Sequence, residues 1–131
     1  MIQRLALDTN AYRALDDGNP LVANYTRTAA QIGLSTIVLG ELYYGIFAGS
    51  KQENNLSNLN NFMEQPRVEL LHIDAATAKL FGEIATTLRG IGRPIQQDDM
   101  WIAALCKQYD FSLATSDQDF DSIIGLEILK F

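Results

Sequence analysis

Short apolar runs alternate with helical stretches along this chain, and that alternation restricts the fold more than any other feature. "QRLALD", "LSTIV", "VELLHI", "FSLATS" and "LEILKF" read as strands. Strands separated by helices cannot pair as simple hairpins. Each helix instead carries the chain back across a sheet face, which predicts an α/β domain with a mostly parallel sheet.

Asn10 to Asp17 reads as a helical turn, broken by "DDGNP". Pro20 is placed to start a second helix, "PLVANYTRTAAQI", with Gly33 ending it. In "VLGELYYGIFAG" the spacing puts Leu39, Tyr43 and Phe47 on one face, with Leu42 and Ile46 beside them. "KQENNLSNLNNFMEQ" turns Leu56, Leu59, Phe62 and Met63 inward, and Pro66 stops it. Asp74 suits the N-cap of a long helix carrying Leu80, Phe81, Ile84, Leu88 and Ile91. "QQDDMWIAALCKQY" is nearly all apolar beyond its acidic start, so it should be buried on several sides. No repeat or Pro/Gly-rich linker divides the 131 residues, and one domain over 1–131 is expected.

The net charge of −6 argues against generic electrostatic binding of nucleic acid. It leaves open an enzyme whose carboxylates are neutralised by metal. The single cysteine, Cys106, lies in "MWIAALC", where a packed thiol is expected rather than a nucleophile. That apolar run falls far short of the ~20 residues that cross a bilayer. "MIQRLALDTN" lacks a signal-peptide core because Asp8 interrupts it. A cytoplasmic protein without membrane contact is expected.

Parallel sheets carry their sites at the carboxyl ends of strands. Asp8 follows the first strand, Glu41 comes soon after the second, and Ser116 and Asp117 follow the fourth. Each acidic group has a plainer explanation. Asp8 can cap a turn, Asp98 or Asp99 can cap the apolar helix, and Asp117 and Asp119 can be turn residues. Glu41 resists this, because an isolated charge among Leu39, Leu42 and Tyr43 is costly. Gly45, one turn on, leaves space above that carboxylate for a metal or a substrate backbone. Carboxylates gathered at one sheet edge repel, and protons or divalent cations relieve that repulsion. An all-oxygen donor set suits Mg²⁺ or Mn²⁺, and two such ions ~4 Å apart can hold a phosphodiester and activate a water.

Four blocks carry a family likeness: "LALDTN", "STIVLGELYYGI", "DDMWIAA" and "LATSDQDF". In this order and at these separations they resemble the PIN-domain family, in particular its VapC-type toxins, over essentially the whole chain. The resemblance implies an α/β/α sandwich, Mg²⁺- or Mn²⁺-dependent endoribonuclease activity, a cognate antitoxin and a homodimer. It implies that Asp8, Glu41 and Asp99 hold the principal ion, and that Asp117 completes a weaker site or orients the attacking water. Thr9 and Asn10 match the polar pair after the first aspartate and should orient Asp8 or a water. Asp98 stands where the family often has a neutral residue. It could support a ligand, cap the helix or substitute for a ligand. Asp117 is preferred over Asp119, which is expected to cap the next turn. Ser35, Thr36 and Ser116 are supporting candidates. Arg93 and Arg13 are candidate phosphate contacts. His72, the only histidine, is expected to be a packed or surface residue rather than a general base.

Two readings outside nuclease chemistry compete. A haloacid-dehalogenase-like phosphatase also starts from an aspartate after a strand, but it needs a second aspartate where Asn10 stands, and no site lysine is evident. A binding module would use the acidic cluster only structurally. A third alternative, within the family, is an RNA-processing nuclease without a toxin role. Tyr43, Tyr44, Ile46 and Phe47 offer more apolar surface than one core face needs, and part of it could meet an antitoxin or a second copy.

Overall fold

The computed structural model describes residues 3–131. The elements run β1 (Arg4–Leu7), α1 (Thr9–Asp16), α2 (Pro20–Thr28), β2 (Gln31–Ser35), α3 (Thr36–Ala48), α4 (Gln52–Met63), β3 (Val68–Leu71), α5 (Ala75–Gly90), α6 (Gln97–Tyr109), β4 (Ser112–Thr115), a 3-10 turn (Gln118–Ser122) and β5 (Ile128–Lys130). The five strands form one sheet in the order β3-β2-β1-β4-β5. All four pairings are parallel.

Successive strand residues point to opposite sheet faces. Leu5, Ala6 and Leu7 of β1 and Leu113, Ala114 and Thr115 of β4 are all buried, so both faces are covered. That is the three-layer α/β/α sandwich expected from the sequence. The outer strands differ: Glu69 and Leu70 of β3 and Lys130 of β5 are exposed, as sheet edges are. From β1 the chain moves outward through β2 to β3. It then returns to the other side of β1 with β4 and β5. The crevice where this direction reverses lies beyond the ends of β1 and β4.

The second helix ends four residues earlier than its periodicity suggests, at Thr28, and β2 starts at Gln31. Gly33 is therefore a strand residue and not a helix stop. A Cβ there would come within 2.9 Å of Phe111 and 3.0 Å of Leu71, so glycine admits two neighbouring side chains at the sheet surface. Thr36, Ile37 and Val38 belong to α3, because the Ser35 hydroxyl accepts from the Val38 N–H at 3.0 Å and caps the helix there.

The inward stripe of α3 is Val38, Leu42 and Ile46 rather than Leu39, Tyr43 and Phe47. Phe47 is exposed and stacks on half-buried Tyr43, with centroids 5.8 Å apart. Leu59 and Phe62 of α4 are buried, with Leu56 and Met63 against the core. Ile84 and Leu88 anchor α5, whereas Ile91 at its end is exposed. Five successive residues of α6, Ile102 to Cys106, are buried. That full circumference of contact fits its apolar sequence, and burial pushes the Cys106 thiol up to about 12.

Candidate active site

Three helices start where strands end, at one side of the sheet. Asp8 is the N-cap of α1, and its Oδ1 accepts from the Ala11 N–H at 2.8 Å. Its other oxygen accepts from the Thr115 hydroxyl at 2.5 Å, across the β1–β4 crevice. Burial raises the Asp8 pKa. The Thr115 and Ala11 hydrogen bonds oppose that rise, and the neighbouring Asp117 and Glu41 add to it. Asp8 is therefore both cap and site residue, and the two readings of it are compatible.

Glu41 projects from the second turn of α3, half-buried, and accepts from the Thr9 hydroxyl at 2.8 Å. Thr9 thus orients Glu41 rather than Asp8. Asp98 and Asp99 occupy the first turn of α6, where the helix dipole favours negative charge. Neither caps it: Gln96 is the N-cap and makes no side-chain bond. Burial raises the Asp99 pKa from 3.8 to about 6, helped by the charges of Asp117, Glu41, Asp119 and Asp8.

Asp117, not Asp119, caps the turn after β4, accepting from the Asp119 N–H at 2.9 Å. A side-chain cap turns the chain sharply at Asp117, which carries Asp119 back toward α6. One carboxylate oxygen each of Asp99, Asp117 and Asp119 lies within 4.8 Å of the other two. Asp119 thus joins the cluster from which the sequence reading had set it apart. Thr115 was missed altogether. It is fully buried, donates to Asp8 and accepts from the Asp117 N–H at 3.0 Å, so it links the two aspartates. Its neighbour Ser116, the expected support, is exposed and off the cavity lining.

An open cavity of about 580 Å³ is lined by Asp8, Thr9, Asn10, Arg13, Thr36, Ile37, Gly40, Glu41, Tyr44, Asp98, Asp99 and Asp117. Arg13 is the one cation among those residues. The space expected beside Gly45 is taken by the Arg13 guanidinium, which a Cβ on Gly45 would meet at 2.8 Å. Arg93 lines a separate cavity with Asp119 and Asp121. His72 is exposed beyond the end of β3.

The donor set is all oxygen, comes from α1, α3, α6 and the turn after β4, and faces one cation. Half-buried carboxylates so close together favour either protons or a divalent metal. An all-oxygen donor set suits hard divalent cations.

Comparison with known proteins agrees with this construction. The PIN domain family model matches residues 5–126. "Ribonuclease VapC2" of Rickettsia felis is 34% identical over 72% of this chain and 70% of its own length. The "tRNA(fMet)-specific endonuclease VapC" of Shigella flexneri is 31% identical over 71% of this chain and 70% of its own. The toxin subunit fold recurs in the crystal structure of VapBC2 from Rickettsia felis bound to a promoter DNA fragment, with a TM-score of 0.84, 28% identity and 98% of each chain covered. Family match, relatives and structural likeness agree: the chain belongs to the PIN domain family, among its VapC-type members.

Proposed function

We propose that this protein, acting as a single domain, is a Mg²⁺- or Mn²⁺-dependent endoribonuclease and the toxin of a toxin–antitoxin pair. The observation that carries the reading is the set of carboxylates Asp8, Glu41, Asp99 and Asp117 from separate elements around one cavity, with oxygens of Asp99, Asp117 and the adjoining Asp119 within 4.8 Å of one another. Relatives named as ribonucleases and a tRNA-specific endonuclease support RNA as the substrate class.

In this reading Asp8, Glu41 and Asp99 hold the principal ion, and Asp117 completes the site with Asp119 beside it. When bound, the divalent cation neutralises the phosphate and makes water acidic enough to act as a nucleophile near neutral pH. The chain's own groups do the rest. Thr115 fixes the Asp8 carboxylate and Thr9 fixes that of Glu41. Asp98 and Asn10, both exposed on the lining, are placed to orient water rather than to bind metal. Arg13 is the candidate phosphate contact. Arg93 lies outside the cavity, and its phosphate role is reduced to steering RNA from the flank.

The partners are RNA, an antitoxin and a second copy. Solved VapBC complexes support the antitoxin. Light scattering behind size-exclusion chromatography tests the homodimer. Among the described residues, no helix is long and apolar enough to cross a membrane.

The test is cleavage of a doubly labelled single-stranded RNA by the purified protein, with Mn²⁺ and with EDTA. Cleavage that needs the ion and vanishes in Asp8→Asn is expected. An Asp8→Asn protein that still cuts, or phosphate release from small phosphoesters in place of RNA cleavage, overturns the reading.

A further inference from the structure

Four of the five tyrosines are occupied within the fold. Tyr12 meets Phe62 edge-on, Tyr43 stacks on Phe47, and the hydroxyls of Tyr25 and Tyr109 donate to the carbonyls of Lys130 and His72. Tyr44 makes no hydrogen bond or ring contact among the described residues. It is 78% exposed and lies on the lining of the acidic cavity, three residues after Glu41.

Arg13 lines the same cavity. Thr9 and Arg13 lie one turn apart on α1, and Glu41 and Gly45 lie one turn apart on α3. The two helices meet in register: Thr9 donates to Glu41, and the Arg13 guanidinium lies against the Cα of Gly45. Arg13 enters no ion pair among the described residues. It also lines an adjoining groove of about 460 Å³ that contains Lys51 and Asn55 together with Asp16 and Asp17. This side of the acidic cavity thus offers an aromatic ring and a guanidinium seated against Gly45, with the groove of Lys51 and Asn55 alongside.

We propose that Tyr44 and Arg13 form a nucleotide subsite flanking the scissile phosphate of RNA, in which Tyr44 stacks the base, Arg13 takes the adjoining phosphate, and Gly45 is the positioning residue that seats Arg13. This deepens the nuclease reading above and rests on it. Stacking tolerates any base, so the subsite supplies binding and register rather than sequence choice. Phosphate contacts position in the same way.

Two readouts test it. One is binding of a single-stranded oligoribonucleotide carrying 2-aminopurine, with Ca²⁺ in place of the catalytic ion, followed by fluorescence quenching. The other is steady-state cleavage with Mn²⁺. Tyr44→Ala should abolish the quenching and raise KM about tenfold with kcat nearly unchanged, and Tyr44→Phe should restore both. Arg13→Ala should raise KM and lower the salt dependence of binding by about one phosphate contact. Gly45→Ala displaces only a flexible side-chain end, and Ala favours helix over Gly. Its KM should therefore rise while its thermal midpoint holds or increases. The effect of Gly45→Ala should vanish in an Arg13→Ala background.

The subsite is overturned if Tyr44→Ala keeps the quenching and KM. It is also overturned if Phe47→Ala, an exposed ring off the cavity, costs as much, or if Gly45→Ala acts without Arg13. If the wild type shows Tyr44-dependent quenching but never cleaves, the nuclease reading falls and the subsite stands. If it neither binds nor cleaves, both fall.

Discussion

Asp8 and Asp74 begin helices in the same way and end with opposite acidities. Asp74 caps α5 within a capping box: it accepts from the Thr77 N–H at 3.2 Å, while Thr77 accepts from the Asp74 N–H at 3.0 Å. The Gln108 amide also donates to it at 2.8 Å, and that bond leads the causes that hold its pKa below the usual value. Asp8 likewise accepts a backbone N–H and a side-chain donor, yet its pKa is raised. Hydrogen bonds are thus not what separates them. Asp8 is buried and faces Asp117 and Glu41, whereas Asp74 is solvated. The first carboxylate, when ionised, works against the metal-free fold, and it is the one proposed to serve chemistry. The second only stabilises.

The contrast can be broken at four points. Asp8→Asn should cut RNA cleavage by at least about a thousandfold if Asp8 holds the metal as proposed. The fold should persist, with a thermal midpoint in EDTA equal to or above wild type, because a repelled charge is gone. Thr115→Val keeps the shape but takes away the donor to Asp8. Cleavage should fall roughly ten- to a hundredfold. Initial rates at saturating Mn²⁺ check both variants.

Asp74→Ala should do the reverse: unchanged cleavage, and a midpoint lower by roughly 4 °C from loss of the cap. An activity loss there beyond the loss of folded protein would remove the distinction between the two aspartates. The smallest effect concerns pH. Asp99 takes up a proton in the folded protein at about 6, against an ordinary value of 3.8. Between those values the folded state holds more protons than the unfolded chain, so stability declines as pH rises. In EDTA, the contribution of Asp99 is fully present below about 3.8 and lost through about 6. Asp99→Asn should flatten urea midpoints across that window.

Much of this was legible beforehand. Asp8, Glu41 and Asp117 could be placed together because strand ends in a parallel sheet share one edge, whereas Asp99, which follows no strand, came only from the family likeness. The five buried residues of α6 followed from its unbroken apolar run. What escaped depends on tertiary contact. Thr115 reads as one more strand residue until β4 is seen beside β1. Asp119 read as a cap because a cap on Asp117 turns the chain in a way that spacing does not reveal. Gly33 read as a helix stop, since nothing local announces that Phe111 and Leu71 will press on it. Gly45 read as an opening for a ligand, since its occupant, Arg13, comes from another helix.

The bond between Thr115 and Asp8 joins residues 107 positions apart. A ribosome adds about 5–20 residues each second, so the two side chains leave it roughly 5–20 s apart. For that interval the emerging polypeptide carries Asp8 without its donor and without Asp117 or Asp119. Until Thr115 emerges, only the nearby Ala11 N–H is at hand to hold the Asp8 carboxylate.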